Sequence, residues 1–356
     1  MSSQSTSATP FSIAADLHPC RLLELPPDLL EYLSASDAPT LSFKAKDATD
    51  PEAFLTTTHK TYLIRQVHTS NTVYLTTPTH DAPGATAVSQ CRSALECLPA
   101  PVRHAESTLR SLLIPFGEPQ DLDFRPSNPQ SKDYVFAHTP MSHDECHTVW
   151  KDLVAFEHAG QSFRPTAVAL AKVWKWLLEI AYANAVDLAE PVQKESVDKM
   201  LDGEDEWPRG LVDAIFLKLS GDHQDLLHLQ QHATVEWVGT NTLESQRQNN
   251  NNHPVMDTSV FLDTWKDALP ETWRSEPNLD MLKASPSCCN VWAWLTVGQG
   301  LYKLSGGGKR IEFVHNQNAY AEEATAGAPI PSATTTAGKR KWHEKFAAAR
   351  KQGKPF

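Results

Sequence analysis

Long apolar runs are missing from this chain of 356 residues. No eighteen consecutive residues are apolar, whereas a helix that crosses a bilayer needs about twenty such residues. The first ten residues, MSSQSTSATP, are polar and contain nothing like the apolar core of a secretion signal. We therefore expect no membrane span, no secretion, and a disordered N terminus over residues 1–19.

Cysteine is also sparse, and its spacing shows no disulfide framework. In a chain of this size without a secretion signal, scattered cysteines are most simply free thiols in a reducing compartment. Two of the six are adjacent, and a disulfide between neighbours would close a strained ring, so we predict two separate thiols there. The six are Cys20, Cys91, Cys97, Cys146, Cys288 and Cys289.

Motifs for catalysis are equally scarce. The nucleophile elbow GxSxG does not occur anywhere in the sequence. The run Gly306–Lys309 is similar to a phosphate loop, but Lys303 occupies the place of its first glycine and Arg310 replaces the hydroxyl that would bind magnesium. The acidic run Asp202–Glu206 lacks the spacing of a calcium loop. We therefore predict that the protein is not an enzyme and needs no cofactor.

One segment has the residue types of a metal site, HDECH at positions 143–147. On a helix, His143 and His147 would lie one turn apart with Cys146 beside them. The segment is not HExxH, because its glutamate stands at the wrong offset to act as a general base beside a metal. No fourth ligand follows at finger-like spacing. We therefore predict no metal and a capped helix start, with Ser142 and Glu145 as its capping box.

Charge is unevenly distributed along the chain. Residues 339–354 carry seven Lys/Arg and one Glu, whereas the residues before them carry 25 basic and 42 acidic side chains. An acidic body is not the pattern of a protein coated in nucleic acid, so any DNA contact should be local. The basic end indicates nuclear import, contact with DNA phosphates, or a solvated terminus, and we predict a nuclear protein. The residues predicted to contact nucleic acid are Lys309, Arg310, Lys339, Arg340, Lys341, Lys345, Arg350 and Lys351.

The stretch from Phe54 to Leu75 is the most informative part of the sequence. Its density of Thr, Val, Ile and Tyr predicts three strands, with a Pro/Gly/Thr loop after them over Thr77–Gln90. The middle strand is apolar on both faces, which is typical of a central strand or of one covered by another chain. Further strands are predicted at Arg21–Leu25 and Leu41–Lys46. The three strands are Phe54–Thr57, Thr61–Val67 and Thr72–Thr76.

The rest of the chain is predicted to be mostly helical, which makes the fold class α+β. Short helices followed by a β-hairpin are the pattern of a winged helix, and we expect two such units with a partial third between residues 139 and 315. The predicted helices are Arg103–Leu113, a helix that starts at Ser142, Thr166–Ala183, Val192–Leu201, Arg209–Leu219, Val260–Leu269 and Leu279–Ala284. The predicted strands are Thr234–Val238 and a hairpin of Val291–Val297 with Ile311–His315, and Ser245–Asn252 is predicted to be a surface loop.

These elements divide the chain into modules. Three prolines without apolar periodicity mark a linker after the β part, and an Ala/Thr/Pro/Gly stretch marks another before the basic end. The predicted division is a β module over 20–115, a linker over 116–138, a first winged-helix region over 139–238, a second or partial one over 239–318, a linker over 319–338 and a basic tail over 339–356.

Two segments resemble the sister chromatid cohesion protein DCC family. One is Lys60-Thr61-Tyr62-Leu63 followed by Thr69-Ser70-Asn71, and the other is Arg21–Leu25 followed by Leu29-Leu30-Glu31. Later segments, among them Pro140-Met141-Ser142 and Phe261–Pro270, are similar as well. The resemblance therefore covers roughly residues 20 to 270, and it carries no catalytic residues.

The resemblance implies a non-catalytic subunit of an alternative replication factor C-like (RFC-like) clamp loader. Its N-terminal strands would form a barrel completed by two partner chains, the chromosome transmission fidelity proteins eight and eighteen. Its winged helices would engage the catalytic subunit of polymerase epsilon and could also contact DNA. The complex would load PCNA in replication and cohesion. The predicted partner-binding residues are Lys60, Thr61, Tyr62, Leu63, Ile64, Val67, Thr69, Ser70 and Asn71.

The alternative is a chromatin or transcription factor that reads DNA directly through its winged helices. Such a protein needs a recognition helix rich in Arg, Lys, Asn or Gln. The helix at 167–183 offers only Lys172 and Lys175 among apolar residues, which argues against direct reading. Co-purification separates the two hypotheses, because only the first predicts stable partner chains.

Overall fold

A computed structural model of the chain describes residues 10–18, 20–35, 40–45, 52–78, 84–100, 103–123, 130–220, 225–249, 255–284 and 302–313. Within them the fold is mixed α+β, as predicted: one curled six-stranded sheet is followed by a helical part with three small sheets. None of the helices in this described part is both long enough and apolar enough to cross a membrane.

The six strands of the N-terminal sheet are β1 (Phe11–His18), β2 (Leu22–Glu24), β3 (Ser42–Ala45), β4 (Ala53–Thr56), β5 (Thr61–Pro78) and β6 (Ala85–Pro99). They lie in the order β1-β6-β5-β4-β3, and β2 also pairs with β6. The long strands β5 and β6 form an antiparallel pair whose register shifts between His68 and Val73. This shift divides the sheet into two halves.

One helix, α1 (Pro27–Ser34), covers one face of this sheet. Proline at its first turn costs nothing, because that N–H would have no partner in the helix. Its Leu29 packs into a small core with Leu55, Tyr62 and Cys97. Burying a leucine of this kind contributes about 2 kcal/mol to the stability of the fold.

Three predictions for the sheet are wrong in part. The strands predicted as Thr61–Val67 and Thr72–Thr76 are one strand, β5, with an irregularity instead of a break. The loop predicted over Thr77–Gln90 contains the start of β6, whose inward residues there are small and give a weak apolar pattern. The predicted N-terminal disorder does not hold for Phe11–His18, which pairs with β6. The start of β6 and the segment Phe11–His18 are ordered because they pair with each other, although they lie far apart in sequence.

The helical part repeats one order of elements: helix, strand, two helices, then one or two strands. The first set is α2 (Arg103–Leu112), β7 (Ile114–Phe116), α3 (Lys132–His138), α4 (His143–Asp152), β8 (Phe156–His158) and β9 (Gln161–Pro165). The second is α5 (Ala167–Ala183), β10 (Val192–Gln193), α6 (Lys194–Met200), α7 (Arg209–Ser220) and β11 (Leu226–Leu227). The third is α8 (Gln231–Asn249), β12 (Val255–Asp257), α9 (Thr258–Asp267), α10 (Leu279–Ala284), β13 (Tyr302–Ser305) and β14 (Arg310–Phe313).

The small sheets share an order of strands but not every strand direction, since β7 is parallel to β9 whereas β12 is antiparallel to β14. The first is ordered β7-β9-β8 and the third β12-β14-β13, so the first strand of each set pairs with the last. In the second set, β10 pairs with β11. The hairpin predicted to end at Ile311–His315 corresponds to β14, which pairs with β13, whereas the predicted Val291–Val297 lies outside the described residues.

A continuous apolar core joins the three sets. Trp174 and Trp265 are fully buried, and their ring nitrogens donate to the carbonyl oxygens of Ala268 and Val235, both at 2.8 Å. Helix α8 approaches α9 so closely that a Cβ at Gly239 would lie 2.3 Å from the Trp265 ring. Only glycine permits that contact.

Several predictions for the helical part are confirmed and three are wrong. The helices predicted at Arg103, Ser142, Thr166, Val192, Arg209, Val260 and Leu279 all occur, and the capping box of Ser142 and Glu145 is present. The predicted strand Thr234–Val238 lies inside α8, where Val235 and Val238 share its buried side. The first residues of the predicted loop Ser245–Asn252 continue that helix. The predicted linker over 116–138 contains the helix α3.

Candidate partner-binding sheet

The N-terminal sheet has two halves that differ in what covers them. We call the part formed by β2, β3, β4 and the paired residues Thr61–His68 and Ser93–Pro99 the proximal half. The distal half is formed by β1 and the paired residues Val73–Pro78 and Ala85–Cys91. Strands β5 and β6 run through both, so the two halves share one backbone framework.

On the first face of the proximal half, Asp28 of α1 joins the helix to β5. Its carboxylate accepts hydrogen bonds from Lys60 Nζ at 2.9 Å and from the Tyr62 hydroxyl at 3.0 Å. The bond from Lys60, followed by that from Tyr62, lowers the pKa of the Asp28 carboxyl. Burial, together with this carboxylate, raises the pKa of Tyr62 to about 12. Tyr62 therefore stays a neutral donor at physiological pH.

On the second face, Thr61 extends the capping box of α4. The Ser142 backbone N–H donates to Thr61 Oγ1 at 2.7 Å, and Thr61 Oγ1 donates to Glu145 Oε2 at 2.5 Å. The same carboxylate oxygen accepts from Ser142 Oγ at 2.7 Å. A capping box normally uses two residues. Here a strand residue completes it, and the first turn of α4 is thereby attached to the sheet.

A lysine makes the second attachment on this face. Lys44 Nζ donates to three backbone carbonyl oxygens at the end of α3 and in the loop after it, those of Phe136 at 2.9 Å, Thr139 at 3.0 Å and Met141 at 2.9 Å. The last carbonyls of a helix have no partner within it and carry partial negative charge, so a cation is favoured there. Burial lowers the pKa of the Lys44 ammonium.

The turn between β4 and β5 adds a third contact with α4. The Asp144 backbone N–H donates to the carbonyl oxygen of Thr58 at 3.1 Å, and the Asp144 carboxylate contacts the His59 ring. That ring is the main cause of a lowered pKa at the Asp144 carboxyl. At the end of β5 next to this turn, the proximal half is thus covered by helices of its own chain on both faces.

The distal half exposes apolar side chains instead. Phe11 and Ile13 of β1 are 55% and 56% exposed, and Val73 and Leu75 of β5 are 44% and 52% exposed. The Phe11 ring meets the Tyr74 ring edge to face, with their centroids 5.9 Å apart. Strand β6 lies between β1 and β5, and Phe11 shares a face of the sheet with Tyr74. Val73 and Leu75 alternate with Tyr74 along β5 and therefore lie on the other face. Exposed apolar residues such as these mark surfaces that another molecule covers.

Within the described residues, both ends of the strand order are also open to pairing. Strand β1 ends the order on one side and β3 on the other, where Phe43 is 71% exposed. An unpaired strand edge presents free N–H and C=O groups to an incoming strand. The sheet can therefore accept further strands as well as side-chain contacts.

The predicted partner-binding residues lie in the proximal half or at the junction between the two halves. Lys60, Thr61 and Tyr62 have partners within the chain, as described above. Leu63, Ile64 and Val67 are half-buried in β5, and Ile64 packs against the core beneath α1. Thr69 and Ser70 belong to β5 at the junction of the halves, with side chains outside the described set, and Asn71 is exposed.

Sequence reasoning missed the apolar residues that the structure exposes. The alternation of Phe11 and Ile13 after a polar start was the available signal for β1, and Val73 and Leu75 alternate in the same way within a predicted strand. Alternation indicates a strand with one apolar face. It does not say whether the chain itself covers that face.

Of the predicted nucleic-acid contacts, two lie within the described residues. Lys309 and Arg310 are exposed at the end of the turn between β13 and β14. The turn contains Gly306–Gly308, all with left-handed φ, and the Gly308 carbonyl oxygen accepts from Thr258 Oγ1 at 2.8 Å. The six predicted residues of the basic tail, Lys339, Arg340, Lys341, Lys345, Arg350 and Lys351, lie outside the described part of the chain.

The segment tested for metal binding forms the start of α4. The rings of His143 and His147 lie 4.6 Å apart and both meet Phe136 edge to face. Burial, followed by the charge of Lys132, lowers the pKa of His147. Cys146 points into the core and is fully buried. Among the residues that the structure describes, no group of three or more His, Cys, Asp or Glu is placed to hold a metal ion.

Comparison with known proteins identifies the family. A search of curated proteins finds no match. A family model described as "Sister chromatid cohesion protein Dcc1" matches residues 20–288, which include the whole sheet from β2 onward and most of the helical part. Because that match spans well over half of the chain, the protein belongs to the sister chromatid cohesion protein Dcc1 family.

Proposed function

We propose that this protein is a non-catalytic subunit of an alternative RFC-like clamp loader, and that its N-terminal sheet is completed by partner chains. Membership of the Dcc1 family supports a role in sister chromatid cohesion. The observation that carries the finer proposal is the distal half, where Phe11 and Ile13 are exposed on the edge strand β1 and Val73 and Leu75 are exposed on β5. Such a surface suits strands from another protein.

The partners that fit are chains that bring apolar strands of their own. Added strands would pair with β1 and β3 through backbone hydrogen bonds, and their side chains would cover the exposed apolar residues. This combination converts an open, curled sheet into a closed barrel, which removes the edges. In the complex that we propose, the chromosome transmission fidelity proteins eight and eighteen supply these strands.

We propose further that the three repeats of the helical part are winged-helix units. Their order of helix, strand, two helices and terminal strands supports this, as do the sheet orders β7-β9-β8 and β12-β14-β13. On this view the first unit begins at Arg103, before the predicted boundary at residue 139, and there are three units instead of two with a partial third.

The charges of the described helices favour docking to protein over reading DNA. The two lysines of α5, Lys172 and Lys175, pair with Glu118 at 3.0 Å and Glu179 at 3.7 Å. The third helix of the second unit, α7, has its Lys218 paired with Asp152 at 2.7 Å. Base contacts would require these pairs to open.

The same helix α7 begins with Arg209, which pairs with Asp198 and Asp213. We therefore propose that the helical part docks onto the catalytic subunit of polymerase epsilon in the nucleus, while PCNA is loaded and ATP is hydrolysed by other subunits. Lys309, Arg310 and the basic tail are the candidates for local contact with DNA phosphates.

The test is co-expression of the full chain with the two proposed partners, followed by affinity capture and size-exclusion chromatography. We expect a stoichiometric complex with the wild-type chain and its loss with the double variant Phe11→Ser/Ile13→Ser. The matched control is Val260→Ser on α9, which is also 55% exposed but lies far from the sheet in sequence and fold. It should leave the complex intact.

Two results would contradict the proposal. If the wild-type chain elutes alone although the partners are present and folded, the proposal of a shared barrel is wrong. Tight, sequence-specific binding of duplex DNA by the chain alone would instead support a winged-helix chromatin or transcription factor. Repeating the DNA measurement at two salt concentrations separates that result from nonspecific phosphate contact, which weakens steeply with salt.

A further inference from the structure

Two cysteines that are far apart in sequence meet at the boundary between the halves of the sheet. Cys20 lies between β1 and β2, and Cys91 lies in β6, 71 positions later. The Cys91 thiol donates to the backbone carbonyl oxygen of Cys20, with 3.5 Å between the sulfur and the oxygen. The remaining described cysteines, Cys97 and Cys146, lie in two separate hydrophobic cores.

The meeting of these thiols follows from strand pairing on both sides of Cys20. Before it, the His18 carbonyl oxygen accepts from Ser89 Oγ at 2.7 Å. After it, Leu22 is paired with Ala94 in the parallel ladder of β2 and β6. Cys20 is therefore held opposite the segment of β6 that contains Cys91. A disulfide requires such proximity, because Cα atoms more than about 7 Å apart cannot be bridged without backbone movement.

The two thiols differ in how easily an oxidant reaches them. Cys91 is only 4% exposed, whereas Cys20 is half-buried. Burial, followed by the hydrogen bond with the Cys20 thiol, raises the pKa of the Cys91 thiol. A thiol with these properties reacts slowly with reagents in solution. It is nevertheless well placed to resolve a mixed disulfide formed on its neighbour.

We propose that Cys20 and Cys91 form an oxidisable thiol pair that closes to an intramolecular disulfide when the surrounding thiol pool is oxidised. With oxidised glutathione as the oxidant, the Cys20 thiolate attacks one glutathione sulfur and releases one glutathione thiolate. The Cys91 thiolate then attacks Cys20 Sγ, forms the Cys20–Cys91 bond and releases the second glutathione. Two protein thiols are oxidised, two protons are lost, and one glutathione disulfide is reduced to two thiols.

The bond would tie the connection between β1 and β2 to the central strand β6. It would limit the separation of β1 from the sheet, and β1 carries the exposed Phe11 and Ile13. The inference depends on the strand pairing alone and not on the proposed function. Oxidation of the pair would thus link the edge strand β1 covalently to the rest of the sheet.

The direct test is peptide mapping of the full chain. The protein is incubated with oxidised or reduced glutathione, free thiols are alkylated, and the tryptic peptides are identified without reduction. Cys20 and Cys91 fall in separate peptides, residues 1–21 and 66–92, each with a single cysteine. We expect the linked pair of these two peptides only in the oxidised sample. Its rate of formation should rise with pH, because the thiolate is the attacking species.

A second measurement uses the variant Cys20→Ser, which alters a half-buried position and should fold normally. Oxidation should raise the thermal midpoint of the wild-type chain by about 5 °C, since the bond closes a long loop, and should leave that of Cys20→Ser unchanged. The variant Cys97→Ser should behave like the wild type in the peptide map. A Cys20 that stops at the glutathione adduct, stays reduced, or links to Cys288 or Cys289 instead would overturn the proposal.

Discussion

The two halves of the N-terminal sheet use the same strands and reach opposite outcomes. In the proximal half, polar side chains of the strands bond to helices of the same chain, through Lys44, Thr61 and the Asp28 pair. In the distal half, apolar side chains point into solvent. Burial within the chain needs a covering element, and the helices α1 and α4 extend only over the proximal half. The distal half therefore has surface that suits another molecule.

This contrast predicts a gradient of mutational effects, and the largest belongs to Lys44. The variant Lys44→Met keeps the length of the side chain but takes a donor from three carbonyl oxygens. That of Thr139 retains the Met141 N–H at 2.8 Å, so the loss falls on the other two. Since each unsatisfied buried acceptor is costly, we expect unfolding in urea to require about 3 kcal/mol less free energy. Lys60→Met, which breaks an exposed pair with Asp28, is the control and should cost under about 1 kcal/mol. If the two variants lose the same free energy of unfolding, Lys44 is not the main attachment between the sheet and the end of α3.

Thr61 comes next in expected effect. Thr61→Val preserves the shape of the side chain and removes the hydroxyl shared by Ser142 and Glu145. We expect a loss of about 2 kcal/mol, because a buried N–H and a carboxylate each lose a partner. Thr61→Ser keeps the hydroxyl and should recover most of that loss in the same urea titration. A valine variant as stable as the wild type would show that the sheet and α4 are held together by other contacts.

Tyr62 gives a smaller effect that depends on pH. Its pKa is raised from 10 to about 12, so the folded state holds the phenolic proton more tightly than the unfolded state does. The resulting stabilisation is complete below pH 10 and is lost as the pH rises toward 12. Absorbance at 295 nm should show one tyrosine with a midpoint near 12 in the wild type and none in Tyr62→Phe. A midpoint near 10 would mean that Tyr62 is accessible to solvent.

The smallest effect on stability is expected in the distal half. Leu75→Ser changes a side chain that is 52% exposed, so the isolated chain should lose no more than about 0.5 kcal/mol. The same variant should weaken capture by the proposed partner chains at least tenfold. Chemical denaturation and a binding titration on one protein preparation measure both quantities. If the variant loses much stability but binds the partner chains as well as the wild type, the distal half serves folding and not partner binding.

Some parts of the sheet were accessible to sequence reasoning and some were not. The density of β-branched residues around Thr61–Val67 indicated a central strand, and its two apolar faces indicated cover on both sides. Strand β6 was not predicted, because its inward residues Ala87, Ser89 and Cys91 are too small to produce an apolar alternation. Likewise, the segment Thr234–Val238 of α8 suits either a strand or a helix by its sequence. Only packing against Trp265 selects the helix.

The sequence by itself determined the α+β class, the positions of the helices with strong caps or long apolar faces, and membership of the family through its matched residues. These properties are local, or they depend on the order of residues. The tertiary structure decided the orientation of β3, where the polar Lys44 is turned toward the chain's own helices and the apolar Phe43 into solvent. Alternation alone would place these two residues the other way round. The structure differs because the carbonyl groups at the end of α3, more than ninety residues away in sequence, provide the acceptors that a buried ammonium requires.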